Sequence, residues 1–154
     1  MPTAVKPIPD GFHAATPYLT VRGAARALAF YKVAFGAVET LRIGSDAQIG
    51  HAEFRIGDAP IMLADEYPDL DIKSPQTYGG SPVTIHLYVA DVDAFAARAV
   101  AAGLRVVRPV EDQCYGDRGG KFVDPFGHVW WLATRKENLS NEEIRQRAKA
   151  AFGG

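Results

Sequence analysis

The sequence predicts an α+β fold: two tandem βαβββ modules that form an open, barrel-like sheet with a concave cleft, followed by a C-terminal helix. Three observations predict it. Short runs alternate apolar and polar residues, as half-buried strands do, and two longer runs repeat apolar residues every three or four positions, as helices do. The pattern also occurs twice. Val21 and Val89 end the two first strands, 68 positions apart, and Gly36 and Gly103 end the two helices, 67 positions apart.

The first module occupies about residues 15–65. Its first strand alternates, so Thr16, Tyr18 and Thr20 share a face opposite Leu19. The predicted elements are a strand at 15–21, a helix at 22–36 whose last glycine suits a left-handed cap, and strands at 37–43, 51–57 and 60–65.

A polar stretch rich in Pro, Gly and Asp, residues 66–82, indicates a linker between modules, with a lid as the alternative. The second module occupies about residues 83–134, and a terminal helix is predicted at about 138–152, where Ser140 and Glu143 have capping-box spacing. The elements of the second module are a strand at 83–89, a helix at 91–103, and strands at 104–110, 119–124 and 128–134.

One face of each first strand is too polar for a dry core and too aromatic for a plain solvent face. Thr84, His86 and Tyr88 share this face in the second module, as Tyr18 does in the first. The opposite faces are apolar and are expected to pack on the helices. Two such polar-aromatic faces placed side by side would line a concave cleft, which is the usual form of a small-molecule site.

Composition limits the classes of partner. The 154 residues suit one domain spanning 1–154, with a formal net charge of −1. Nucleic acids and membrane surfaces favour basic proteins, so neither is expected as a partner. Cys114 is the only cysteine, which excludes an internal disulfide and, without a signal-peptide pattern at the N-terminus, favours the cytoplasm.

The two modules resemble a known superfamily. "YLTVRGAARALAFYKVAFGA" in the first module and "VDPFGHVWWLAT" at the end of the second are similar to the vicinal oxygen chelate superfamily, which includes glyoxalase I, extradiol dioxygenases, fosfomycin-resistance enzymes and bleomycin resistance protein. "HAEFRIGDAPIMLADE" and "YGDRGGKFVDPFGHVWWLAT" resemble its glyoxalase/bleomycin-resistance branch. The resemblance covers about residues 15–134. It implies a homodimer, often with modules of different chains completing each cleft.

The resemblance also implies four metal-ligand positions, on the first and last strands of each module. In this sequence they are Thr16, about Met62, Thr84 and Trp131. Divalent cations prefer carboxylate, imidazole or thiolate donors, and these four residues offer none. The sequence therefore predicts that the inherited metal site is absent. It favours a bleomycin-resistance-like protein, which the resemblance implies binds its drug without metal catalysis.

Three residues are candidates for catalysis. His51 and Glu53 share a strand face with Arg55, at a spacing that suits an acid–base pair or two metal ligands. The alternative is that they are ordinary edge residues. His86 is either a pocket residue or a base, and a relocated divalent metal at His51, Glu53 and His86 is a further alternative.

The stretch 111–120 is predicted as a loop that leads into the cleft. Tyr115 is a candidate ligand contact there. Arg118 either pairs with Asp117 or clamps a carboxylate or phosphate of the ligand. Cys114 has no neighbouring base and is expected to be a plain loop thiol.

Adjacent strand residues point to opposite faces, so Trp130 is expected to pack on a helix and Trp131 to line the cleft. The first functional hypothesis is a metal-free protein that binds a small molecule, with sequestration of an antibiotic or aromatic metabolite as its role. The alternative is a lyase, isomerase or hydrolase that uses the three catalytic candidates, and an interaction scaffold is the third hypothesis. The expected ligand contacts are Thr16, Tyr18, Met62, Thr84, His86, Tyr88, Tyr115, Arg118 and Trp131.

Overall fold

The computed structural model describes residues 4–153. The chain divides into two compact units, unit 1 (Met1–Gly80) and unit 2 (Ser81–Gly154). Each unit contains one four-stranded sheet with a helix between its first and second strands. The α+β class and the two βαβββ modules are thus confirmed, although the strands form two separate sheets rather than one.

In unit 1 the strand order is β1-β4-β3-β2, with β1 parallel to β4 and the other pairs antiparallel. Helix α1 covers one face, where the ring of Tyr31 stacks on Phe54 at 5.2 Å between centroids. The elements are β1 (Tyr18–Val21), α1 (Ala24–Phe35), β2 (Val38–Ser45), β3 (Gln48–Ile56), β4 (Ala59–Asp65), a 3-10 turn (Pro68–Leu70) and α2 (Pro75–Tyr78).

Unit 2 repeats this arrangement with the strand order β5-β8-β7-β6, again with only the first pair parallel. Trp130, Leu132 and Phe122 are fully buried on the face that α3 covers. The elements are β5 (Thr84–Tyr88), α3 (Val92–Ala102), β6 (Arg105–Asp112), β7 (Asp117–Val123), β8 (Val129–Arg135) and α4 (Asn141–Phe152).

The end of the last strand holds the N-terminus of the helix in both units. In unit 1 the buried carboxylate of Asp65 accepts the backbone N–H groups of Gly23 and Ala24 at 3.0 and 2.7 Å, and that of Ile49 in β3 at 2.7 Å. In unit 2 the hydroxyl of Thr134 accepts the N–H of Val92 at 2.8 Å. Each helix is therefore tied to its sheet through backbone donors that would otherwise lack a partner.

The stretch predicted as a linker is ordered against unit 1 over much of its length. The carboxylate of Glu66 accepts hydrogen bonds from the backbone N–H of Ser74 at 2.8 Å, the hydroxyl of Thr77 at 2.7 Å and the guanidinium of Arg22 at 2.9 Å. These bonds lower the pKa of Glu66 to about 2, and the bond from Ser74 has the largest effect. Sequence composition alone did not indicate this network.

Two smaller differences concern the ends of elements and the membrane. Strand β1 begins at Tyr18, so Thr16 lies just before the strand and not in it, although the carbonyl of Pro17 still accepts the N–H of Met62. Among residues 4–153, no helix is long and apolar enough to cross a bilayer.

Candidate functional site

We use the term distal face for the side of each sheet opposite α1 or α3. The strand register in unit 1 aligns Tyr18, Met62, Glu53 and Leu41 in one row across the sheet. His51 lies in the next row, beside Ile43 of β2. Alternation along β1 and β3 therefore places the predicted residues of the first module on the distal face, as the sequence indicated.

Three side chains of this face form a continuous hydrogen-bonded chain. The hydroxyl of Tyr18 lies 2.7 Å from Nδ1 of His51, and Nε2 of His51 lies 3.0 Å from Oε2 of Glu53. The rings of Tyr18 and His51 are 5.4 Å apart between centroids. In the neutral imidazole, Nε2 carries the proton because a carboxylate only accepts, and Nδ1 then accepts the hydroxyl of Tyr18.

The solvent exposure of these three residues decreases from Tyr18 through His51 to Glu53. Tyr18 is 50% exposed, whereas the side chains of His51 and Glu53 are 25% and 19% exposed. Partial burial, followed by the negative charge of Glu53, raises the pKa of Tyr18 above its ordinary value. Tyr18 is therefore protonated at neutral pH and acts as the hydrogen-bond donor to His51.

The distal face of unit 2 is more aromatic. His86 lies opposite Trp131, which lies opposite Lys121. The ring of His86 is 4.7 Å from that of Tyr88 and 6.5 Å from that of Trp131. The hydroxyl of Tyr88 donates to Oδ2 of the buried Asp117 at 2.7 Å, and this bond raises the pKa of Tyr88.

The two adjacent tryptophans have the different environments that alternation predicts. Trp130 is fully buried on the helix side, and its indole N–H donates to the carboxylate of Asp124 at 2.9 Å. Trp131 is half-buried on the distal face and lies so close to Gly119 that a Cβ there would be 2.7 Å from its Nε1 atom. Gly119 is thus needed for the position of this indole.

Unit 2 contains a cavity of about 790 Å³ between the ends of β5 and β8, the loop before β7, and the start of α4. This volume lies within the usual range of small-molecule sites. Burial raises the pKa of Tyr115, one of its lining residues, with a further contribution from the charge of Asp117. The lining side chains that can contact a ligand are Tyr88, Tyr115, Asp117, Arg135, Leu139, Asn141 and Ile144.

Of the two roles that the sequence left open for Arg118, the pairing with Asp117 is not formed. Arg118 lies within β7, and its guanidinium binds both carboxylate oxygens of Asp93 at 2.8 and 3.0 Å and Asp112 at 3.2 Å. Its partner is therefore the first turn of α3 and not Asp117. Asp117 instead holds Tyr88, because successive residues of a strand point to opposite faces.

The chemistry of the four residues to which the family resemblance assigns metal ligands does not fit a divalent cation. They present two hydroxyls, a thioether and an indole, at Thr16, Thr84, Met62 and Trp131. Carboxylate, imidazole or thiolate donors would be required. Among residues 4–153, no three His, Cys, Asp or Glu side chains come together in a group that could hold a metal ion.

The structure thus places most of the predicted residues in two groups. Tyr18, His51, Glu53 and Met62 lie together in unit 1. His86, Tyr88 and Trp131 lie together in unit 2, with Thr84 at the start of the same strand and Tyr115 in the cavity. Thr16 and Arg118 belong to neither group. The sequence did not indicate that the cavity is also lined by Arg135, Leu139, Asn141 and Ile144. These residues lie at or after the end of the second module, and the terminal helix has no counterpart in the first module.

Comparisons with known proteins give a consistent family. A model described as the Glyoxalase/Bleomycin resistance protein/Dioxygenase superfamily matches residues 12–132. The uncharacterized protein Rv0887c of Mycobacterium tuberculosis (strain H37Rv) is 45% identical over 136 residues, which cover 86% of this chain and 80% of the relative. The protein At5g48480 of Arabidopsis thaliana is 32% identical over 124 residues, covering 75% of this chain and 74% of the relative.

Similar solved structures include a fosfomycin resistance protein. TioX from Micromonospora sp. ML1 is 25% identical, with a TM-score of 0.62 over 83% of this chain and all of TioX. The fosfomycin resistance protein FosX from Listeria monocytogenes, solved with Mn(II) and sulfate, is 21% identical, with a TM-score of 0.63 over 88% of this chain and 96% of FosX. At this identity the likeness to FosX is one of fold.

Proposed function

Because the chain belongs to the Glyoxalase/Bleomycin resistance protein/Dioxygenase superfamily, we propose that it binds a small organic molecule without a metal ion. The observation that carries this proposal is the cavity of about 790 Å³ in unit 2. Two of the tyrosines expected to contact a ligand, Tyr88 and Tyr115, line it together with Leu139 and Ile144. Aromatic and aliphatic walls suit an aromatic antibiotic or metabolite, and the polar side chains of Asp117, Arg135 and Asn141 can orient its polar groups.

The absence of a metal is part of the proposal. FosX was solved with Mn(II), but the positions that the resemblance implies for ligands carry hydroxyl, thioether and indole groups in this chain, and this chemistry supports the proposal. Sequestration needs affinity alone, so it requires no such ion. Stoichiometric zinc, manganese, nickel or iron in protein purified without chelators, measured by elemental analysis, would overturn this part. The expected homodimer is likewise a proposal, which sedimentation velocity tests.

Replacing Tyr115 by alanine is expected to weaken ligand binding about tenfold, since it removes an aromatic wall of the cavity. The measurement is a calorimetric titration with an aromatic ligand selected from a panel that contains bleomycin, fosfomycin and 8-anilinonaphthalene-1-sulfonate. Tyr78 of α2 is 65% exposed and lies in unit 1, so Tyr78→Ala is the matched control and should bind as the unmodified protein does. Equal affinities for both variants would place the ligand elsewhere.

Intrinsic fluorescence tests whether the ligand also approaches the distal face of unit 2, where Trp131 lies near His86. Trp130 is buried on the helix side and Trp131 is on the distal face, so a bound aromatic ligand should quench Trp131 selectively. We expect Trp131→Phe to remove most of the quenching, whereas the remaining signal from Trp130 should respond little. Unchanged quenching in Trp131→Phe would mean that the ligand does not approach this face.

A specific observation favours a second candidate function. The hydrogen bond between His51 and Glu53 orients an imidazole on the distal face of unit 1, as acid–base enzymes require. The candidate is a lyase, isomerase or hydrolase that uses His51 and Glu53, with His86 as a separate candidate base. Turnover that is lost in His51→Ala and Glu53→Ala but retained in His128→Ala would support it over simple binding.

A further inference from the structure

We propose that the hydroxyl of Tyr18 is the reactive group of unit 1, with His51 as its proton acceptor and Glu53 as the residue that orients His51. This inference deepens the second candidate function, because it assigns the contact with the substrate to Tyr18 instead of His51. It applies to substrates that carry a polarised carbonyl or an acidic proton, since these are the groups toward which an activated hydroxyl acts as a nucleophile or a base.

The first argument is that both nitrogens of His51 are already occupied. Nδ1 accepts from Tyr18 at 2.7 Å and Nε2 faces Glu53 at 3.0 Å. No imidazole nitrogen is left for a substrate unless one of these bonds is broken. The oxygen of Tyr18, by contrast, donates one proton to His51 and keeps its lone pairs available.

The second argument is the direction of the exposure gradient. Tyr18 is the most exposed of the three, at 50%, and Glu53 is the least exposed. A substrate that approaches the distal face therefore meets the phenol first. The three groups follow the order hydroxyl, imidazole and carboxylate, as in hydrolytic triads. In such triads the carboxylate fixes the tautomer of the imidazole and stabilises the imidazolium.

The proton balance follows from these contacts. When the oxygen of Tyr18 forms a bond to a carbonyl carbon, its proton moves to Nδ1 of His51, and the imidazolium is stabilised by the carboxylate of Glu53. The leaving group departs with the electron pair of its bond to that carbon. When Tyr18 takes a proton from a substrate instead, its own proton passes to Nδ1, and Tyr18 remains neutral.

Tyr88 provides a contrast within the same chain. It is also on a first strand and is 62% exposed, but its hydroxyl donates directly to the carboxylate of Asp117. No imidazole lies between the two groups, so the hydroxyl of Tyr88 lacks the imidazole acceptor that Tyr18 has in His51. We therefore expect Tyr88 to be unreactive, although it is slightly more exposed than Tyr18.

The experiment uses 4-nitrophenyl acetate as the probe, with the full chain at pH 7.5. Release of 4-nitrophenolate is followed by absorbance, and the acetylated tyrosine is identified by peptide mass spectrometry. We expect Tyr18 to be acetylated at least tenfold faster than Tyr88 or the 65% exposed Tyr78. His51→Gln should slow this reaction about 100-fold, the size of a general-base contribution, and Glu53→Gln should slow it less.

Equal acetylation of Tyr18 and Tyr78, or an unchanged rate in His51→Gln, would overturn the inference. If a variant is poorly folded by circular dichroism, the pH dependence of the unmodified protein decides the matter. If the acetylation rate of Tyr18 levels off below pH 9, imidazole is supported as the base. If this rate instead rises tenfold per pH unit up to pH 10, hydroxide takes the proton and the inference is overturned. If Tyr18→Phe keeps its turnover and His51→Ala loses it, the inference is overturned. The second candidate function then remains intact.

Discussion

Asp65→Ala is expected to lower the free energy of unfolding of unit 1 by about 3–5 kcal/mol, because a buried N–H left without an acceptor costs about 1–3 kcal/mol. The carboxylate of Asp65 accepts three such donors, from Gly23, Ala24 and Ile49. It joins the N-terminus of α1 to β3 through a single side chain, so its loss affects the helix and the sheet together. Few single substitutions outside the core have an effect of this size.

Native-state hydrogen exchange measures this effect locally. Protection of the amides of Ala24 and Ile49 should fall by two orders of magnitude or more in Asp65→Ala and by less in Asp65→Asn, which keeps one acceptor oxygen. Asp46→Ala is the control: its carboxylate is 84% exposed and pairs only with Arg42, so its removal should cost less than about 1 kcal/mol. Equal protection in Asp65→Ala and Asp46→Ala would contradict this account.

Asp124→Ala is expected to destabilise unit 2 by about 3 kcal/mol or more. One oxygen of Asp124 accepts the N–H groups of Phe126 and His128 at 2.8 and 3.0 Å, which fixes the turn between β7 and β8. The other oxygen accepts the indole N–H of the fully buried Trp130 at 2.9 Å. The substitution therefore opens the turn and removes the carboxylate that accepts the indole N–H in the core.

A double-mutant cycle with Trp130→Phe isolates the indole bond. Phenylalanine has no N–H to satisfy, so Asp124→Ala should cost about 1 kcal/mol less in the Trp130→Phe background than in the unmodified protein. Urea denaturation followed by circular dichroism gives all four stabilities. Additive effects would show that Asp124 acts only through the turn.

Both predictions concern carboxylates that the sequence left unexplained. Local spacing showed that Asp124 begins a turn, but the partner of its second oxygen depends on the rotamer of Trp130, six residues later. Asp65 reads as the end of a strand, and its donors lie 41, 42 and 16 residues away. Contacts over such separations depend on how strands pair, which periodicity does not specify.

The same distinction applies to the candidate site. Alternation placed His51 and Glu53 on one face, and it placed Tyr18 on the matching face of β1. It could not show that the three form one chain, because this requires β4 to lie between β1 and β3 in the register that aligns Tyr18, Met62 and Glu53. One of the two alternatives for Arg118, its pairing with Asp117, is not formed for a related reason: Arg118 points to the helix side, where Asp93 and Asp112 are its partners.

The sequence by itself determined the two βαβββ modules, the faces of their strands, and the opposite environments of Trp130 and Trp131. These follow from the period of a strand or helix, which is a local property. Only the tertiary structure decided that Tyr18, His51 and Glu53 form a hydrogen-bonded chain, that α4 completes a cavity with Tyr88 and Tyr115, and that Asp65 and Asp124 satisfy distant donors. Such contacts depend on strand order, register and rotamer, and these are fixed only when the whole unit packs.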